Sequence, residues 1–120
     1  TVFGCGGDRD KLKRPLMAVA AAGHSDVCII TSDNPRSEDP SIIIREIESG
    51  LRGKSLHSIP DRAEAIDFAV KNSLSGDIIL IAGKGHETTQ QFADHTIDFD
   101  DRKHASKALR ERAQLISEMR

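Results

Sequence analysis

The chain has 120 residues, enough for one compact domain that buries roughly two-thirds of its unfolded surface without disulfide staples. Its 17 Lys and Arg nearly balance its 19 Asp and Glu, and it carries four Phe with no Trp or Tyr, so it has neither a basic stripe nor stacking platforms for nucleic acid. No apolar stretch approaches the ~20 residues of a membrane span and no signal peptide is visible, so a cytoplasmic protein with no membrane contact is expected.

Thr1 to Phe3 reads as a short strand that runs into Gly4-Cys5-Gly6-Gly7; it starts without an initiator Met, as a piece of something longer would. After the charged stretch Asp8 to Arg14, Pro15 fits the first position of a helix, Leu16 to Ala22 is Ala-rich and helix-prone, and Gly23 is the expected stop. Val27 to Ile30 is a second apolar strand, followed by the loop chemistry of Thr31-Ser32-Asp33-Asn34-Pro35-Arg36. Asp39-Pro40 reads as N-cap and first helical residue, Ile43, Ile44 and Ile47 as the buried face, and Gly50 as the end. Leu56 to Ile59 is a weak third strand. Asp61 caps the next helix with Glu64 three residues on, and Ala65, Ile66, Ala69 and Val70 form its buried stripe. Ile78 to Ala82 is the clearest strand, a continuous apolar run of the kind covered on both sheet faces, and it empties into Gly83-Lys84-Gly85-His86-Glu87. Thr96 to Phe99 adds a short strand, and Asp100 or Asp101 opens a last helix whose apolar face would be Ala105, Leu109, Ala113, Leu115 and Ile116.

This alternation predicts an α/β fold, a Rossmann-like three-layer sandwich with a mostly parallel sheet and right-handed crossovers. Ligands of such sheets bind beyond the carboxyl ends of the strands. The loops due there are 4–9, 32–36 and 83–87, and their convergence on one crevice is the main expectation about a site. Gly4, Gly6 and Gly7 would allow close backbone approach to a ligand. Arg9 and Arg36 offer guanidinium forks for carboxylates, Asp33 and Glu87 offer anions for ammonium groups, and Asn34 offers both a donor and an acceptor. Cations interleaved with anions suit a small zwitterion better than a polyphosphate. Asp33-Asn34-Pro35 taken alone is an ordinary turn sequence, and Arg9 and Arg36 taken alone are ordinary surface charges.

Several other features carry less. Gly53-Lys54-Ser55 resembles the end of a P-loop, but Glu48 stands where its first Gly belongs. Gly4-x-Gly6 and Gly83-x-Gly85 each lack the third Gly of a dinucleotide fingerprint, Arg9 and Thr88 standing there. Cys5 and Cys28 sit in or beside apolar runs and read as buried thiols; with His24 or His86 they form no metal-ligand spacing, and no metal site is expected.

Four segments, Phe3-Gly4-Cys5-Gly6-Gly7-Asp8-Arg9-Asp10, Lys13-Arg14-Pro15, Asp33-Asn34-Pro35-Arg36 and Gly83-Lys84-Gly85-His86-Glu87, occur in an order that resembles the third, C-terminal domain of the Mur ligases, of the diaminopimelate-adding (MurE) branch. The similarity runs over essentially the whole chain. Asp33-Asn34-Pro35-Arg36 is its most specific part, since lysine-adding relatives differ at the Arg position. The chain departs from the pattern at Leu12 and Ala18, where the family usually has Gly; both lie beside the first loop.

The resemblance implies residues 1–120 as the amino-acid-binding, ATP-capping domain of an ATP-dependent acid–amino-acid ligase that adds meso-diaminopimelate to UDP-N-acetylmuramoyl-L-alanyl-D-glutamate. The ATP, Mg2+ and UDP-muramoyl-dipeptide sites would lie on two preceding domains, so this domain alone would bind no cofactor and catalyse no ligation. It also implies Arg9, Asp33, Asn34, Arg36, Gly83 and Glu87 as diaminopimelate contacts, with Asp8 and Asp10 near the nucleotide and no catalytic residue of its own. Rival expectations are a Mur ligase of another amino-acid specificity and a non-catalytic amino-acid-binding module.

Overall fold

The computed structural model describes residues 1–51 and 55–119. Gly53 and Lys54, of the P-loop-like tripeptide, lie outside the described residues.

Strands β1 (Val2–Phe3), β2 (Val27–Ile30) and β3 (Ser55–Ser58) pair in parallel in that order. Residues 78–82 run along the free edge of β1. Val2 N donates to Leu80 O at 2.8 Å, Ala82 N donates to Val2 O at 2.9 Å, and Val2 bridges Ile81 in parallel. Successive side chains of a strand point to opposite faces. Val2 and Ile29 therefore pack on Ala65 and Ala69 of helix α3 (Arg62–Asn72), while Phe3, Cys28 and Ile30 pack on Ala18 and Ala22 of α1 (Lys13–His24) and on Ile43, Ile44 and Ile47 of α2 (Pro40–Glu48). Helix α4 (Asp101–Glu118) lies on α3, completing a three-layer α/β/α arrangement. A separate antiparallel hairpin joins β4 (Thr89–Gln91) to β5 (Thr96–Asp98).

The helix starts follow the sequence chemistry. The Asp39 carboxylate accepts from Ser41 N at 2.9 Å, that of Asp61 from Ala63 N and Glu64 N at 2.9 and 3.3 Å, and that of Asp100 from Arg102 N at 2.9 Å. Each satisfies donors that the first turn leaves without an intrahelical partner.

Four expectations are corrected. Pro15 is the third residue of α1, still within the first turn where its missing N–H is harmless, and Gly23 lies inside the helix. The segment 78–82 forms one bridge only, and it is covered on one side: Ile79 and Ile81 pack towards α3, while Ile78 is 94% exposed and Leu80 58%. Strand β4 was not foreseen. Finally, α4 buries Asp101 and Ala108, leaving Leu109, Leu115 and Ile116 exposed, because it docks through Ala108 and polar contacts to α3, Lys71 to Glu111 at 2.7 Å and Arg112 Nη1 to Val70 O at 3.0 Å.

Candidate functional site

Because 78–82, β1 and β2 run in the same sense, the loops after them emerge at one end of the sheet. Loops 4–9 and 32–36 are clasped together. Gly7 N donates to Asn34 O at 2.7 Å, Arg36 Nη1 donates to Gly7 O at 2.8 Å, and the Asp8 carboxylate accepts from the Ser37 hydroxyl. A Cβ built on Gly7 would stand 1.7 Å from Pro35 O, so this glycine admits the neighbouring loop, not a ligand as the sequence suggested. Asp8 and Arg36 both hold left-handed backbone, with φ of 56° and 53°. That conformation costs about 1–3 kcal/mol at a residue with a side chain, and here Arg36 N is held by Gln91 O at 3.0 Å.

Beneath this clasp lies Arg14, 1% exposed, whose guanidinium donates to Glu38 at 2.8 and 3.0 Å, to Glu46 at 2.7 Å and to Gly6 O at 3.0 Å. Glu38 also accepts from Asp8 N at 2.6 Å. The Arg14 bonds, then the Asp8 N–H, hold the Glu38 carboxyl down at about 2, from an ordinary 4.5. A depressed carboxylate stabilises the fold above its unfolded value and stops doing so as pH falls through the folded value. Acid titration of the fold should therefore show a loss between about pH 4.5 and 2 that Glu38→Gln flattens, measured by circular dichroism.

The second clasp joins loops 32–36 and 83–87 to β4. Asn34, 5% exposed, accepts through Oδ1 from Lys84 Nζ and Gln91 N, each at 3.0 Å, and donates from Nδ2 to Glu87 Oε2 at 3.3 Å. Lys84, 2% exposed, also donates to Thr89 O at 2.8 Å. The buried Asp33 Oδ1 lies 3.2 Å from its ammonium, near enough to pair electrostatically though not aligned as a hydrogen bond. Buried Gln90 donates to Asp33 O at 2.7 Å.

Most of the expected residues meet here. A Cβ built on Gly6 would lie 2.9 Å from Arg36 Nη1 and 3.5 Å from Arg9 Cγ, so the two arginines flank one glycine. One built on Gly83, whose φ is 112°, would lie 3.7 Å from Asp33 Oδ2. Arg9, Gly83 and Glu87 are exposed and open to solvent. Two expected roles shift. Asp33 is paired with Lys84, whereas Glu87 meets the Asn34 amide and has no lysine or arginine partner among the described residues. Asp10 accepts from Leu12 N at 3.0 Å in a turn that leads into α1, and Asp8 is taken up by the clasp. Cys5 is buried against Met17, and burial pushes its thiol up to about 11, which makes it unreactive. An apolar hollow between α1 and α2, bordered by Leu12, Pro15 and Ile42, stands apart from the three loops.

Residues 1–85 match the family described as Mur ligase, glutamate ligase domain. The chain belongs to the Mur ligase family. Its fold is that of the Mur ligase C-terminal domain. A UDP-N-acetylmuramoyl-L-alanyl-D-glutamate–2,6-diaminopimelate ligase of Geobacillus thermodenitrificans is 57% identical over 113 residues, covering 92% of this chain and 23% of the relative. A ligase of the same name from Halalkalibacterium halodurans is 58% identical over 111 residues, again 92% and 23%. A solved structure of a ligase so named superposes with a TM-score of 0.88 at 46% identity, covering 93% of this chain and 23% of that one. The chain thus spans about a quarter of the length of these relatives.

Within this Mur ligase domain, sequence reasoning passed over Arg14, Arg62, Lys84 and Gln90, all buried polar residues that brace the loops from below. Arg14 and Lys84 carried a signal, since they sit in Lys13-Arg14-Pro15 and Gly83-Lys84-Gly85-His86-Glu87; Arg62 and Gln90 look like surface residues until the fold buries them. The two glycines of the first loop should separate on mutation. Gly7→Ala drives a methyl group into Pro35 backbone and should lower Tm sharply. Gly6→Ala meets only the movable end of Arg36, so Tm should hold while the guanidinium is displaced from the rim. Thermal melts of both variants check this.

Proposed function

We propose that this domain receives diaminopimelate as the incoming amine of an ATP-dependent ligase acting on UDP-N-acetylmuramoyl-L-alanyl-D-glutamate in peptidoglycan precursor synthesis. The observation that carries this reading is the rim itself: Arg9 and Arg36 flank Gly6, Gly7 N bonds Asn34 O, and the Asn34 amide meets Glu87 at 3.3 Å. Diaminopimelate has two carboxylates and two amines, and this set offers fixed donors for the first and a free carboxylate for the second. Arg36 pairs with the distal carboxylate, which lysine lacks, and Arg9 serves as a second carboxylate donor. Glu87 and the Gly83 carbonyl hold the distal ammonium, with Asp33 Oδ2 beside them. The 53–58% identity to ligases with diaminopimelate in their names supports the same substrate.

The family's ATP and Mg2+ do not fit these loops. Two N–H groups of the glycine loop that a phosphate would use are already spent, Gly7 N on Asn34 O and Asp8 N on Glu38. Phosphate and metal chemistry therefore belongs to other parts of the ligase, and Asp8 and Asp10 keep their structural duties here. The domain's share is positioning: it holds the attacking amine in line with an activated glutamyl carboxylate and excludes water from it. Reactants of this kind belong to the cytoplasm, and no helix among the described residues is long and apolar enough to cross a membrane.

The test is amide formation by the longer ligase that contains this domain, with diaminopimelate, lysine and glutamate in competition. Diaminopimelate should be incorporated almost alone, and the 120 residues by themselves should form no amide. Equal use of lysine would defeat the reading.

A further inference from the structure

We infer that Lys84 is a positioning residue that fixes the Asn34 amide with its NH2 group facing the ligand, so that Asn34 recognises a carboxylate and not an ammonium. This rests on the diaminopimelate reading above. An amide side chain has a donor end and an acceptor end of nearly equal shape, so its orientation is set by its partners. Here three partners agree. Lys84 Nζ and Gln91 N, both donors only, lie 3.0 Å from Oδ1, and the Glu87 carboxylate, an acceptor only, lies 3.3 Å from Nδ2. Rotating the amide by half a turn would set NH2 against an ammonium and an amide N–H, and carbonyl oxygen against a carboxylate.

One Nδ2 hydrogen is directed to Glu87, and the second remains for a ligand. Lys84 is well placed to enforce this. Its side chain is fully buried, its ammonium bonds Thr89 O at 2.8 Å, and it neutralises Asp33 at 3.2 Å, so it cannot swing away without leaving a buried carboxylate unpaired. The ammonium thus never reaches the ligand; it acts through Asn34. Gln91 N alone would hold Oδ1 less firmly, because β4 is an element of three residues.

The experiment is a double-mutant cycle in the ligase that contains this domain, using Lys84→Met and Asn34→Leu singly and together, with kcat/KM for diaminopimelate and KM for ATP both measured. Lys84→Met should lower kcat/KM for diaminopimelate by about ten- to a hundredfold, the effect of leaving one buried acceptor short of a donor. It should leave KM for ATP unchanged and have little further effect once Asn34 is Leu. Additive losses, or a parallel rise in KM for ATP, would show that Lys84 only supports the fold and would overturn the inference. If Lys84→Met fails to fold, the same cycle is run on Lys84→Met with Asp33→Asn, which removes the orphaned carboxylate and is read by the same criterion. A wild-type ligase that does not prefer diaminopimelate would overturn the function itself, a result distinct from an additive cycle.

Discussion

Arg36→Ala, introduced into the ligase that contains this domain, is expected to lower kcat/KM for diaminopimelate by about 30-fold to several-thousand-fold, the usual cost of about 2–5 kcal/mol for truncating one partner of a desolvated charge pair. Two features of the structure make Arg36 more than a surface cation. Its left-handed backbone, φ 53°, is held by Gln91 O, and its Nη1 is already committed to Gly7 O at 2.8 Å. The guanidinium is therefore pre-aimed, and little rotamer entropy remains to be lost when a carboxylate binds. Alanine strains the left-handed backbone no more than arginine does, so the substitution removes the fork together with its one bond to Gly7 O. The effect on lysine should be far smaller, because lysine has no distal carboxylate to lose, and the preference for diaminopimelate should narrow. Arg36→Lys should fall between the two, keeping charge but not the bidentate fork. Steady-state kinetics with both amino acids measure this; wild-type values for Arg36→Ala would remove Arg36 from the site.

The parts of this molecule legible in the sequence are those where local chemistry and tertiary context agree. Asp39, Asp61 and Asp100 cap helices as their residue type and position predict, and Ile43, Ile44 and Ile47 of α2 face inward as a period of 3.6 requires. The three loops could be foreseen as neighbours because parallel strands deliver their carboxyl ends to one side. What was not legible depends on facts outside any window of sequence. An apolar run cannot report whether it will lie in the centre of a sheet or along its edge, and 78–82 lies along the edge of β1 with Ile78 exposed. The apolar face expected of α4 is left largely exposed at Leu109, Leu115 and Ile116. The helix meets α3, and small Ala108 with Lys71–Glu111 forms the contact. Within the site, Asp33 read as an anion for an ammonium group or as part of a turn, and Lys84 had no role of its own. Their mutual pairing, across 51 positions of chain from Asp33 to Lys84, appears only once β4 closes over loop 32–36.

Arg62→Ala should cost the domain about 3–5 kcal/mol, which at this size is a fall in Tm of roughly 10 °C or more. In sequence Arg62 is merely the residue after a helix cap, and arginine is seldom fully buried. In the fold it is 1% exposed and nearly saturated. Nε and Nη2 form a fork on Asp101 at 2.7 and 2.8 Å, Nη1 donates to Ser32 O at 3.1 Å and Nη2 reaches Ala82 O at 3.3 Å. These four bonds tie the start of α3 to the start of α4, to Ser32 at the head of loop 32–36 and to Ala82 just before loop 83–87. Alanine would leave the Asp101 carboxylate buried without its partner, and two carbonyls without their donor. The desolvation of that orphaned charge is the larger part of the loss, so removing both charges should cost less than removing one. Arg62→Met with Asp101→Leu is accordingly expected to melt well above Arg62→Ala, although Ala82 O stays unbonded, Ser32 O keeps only Gln90 Nε2 at 3.4 Å, and loops 32–36 and 83–87 lose their common anchor. Calorimetric melts of the three proteins measure the order. A double variant no more stable than Arg62→Ala would mean that the carbonyl bonds, and not the ion pair, hold this corner of the domain together.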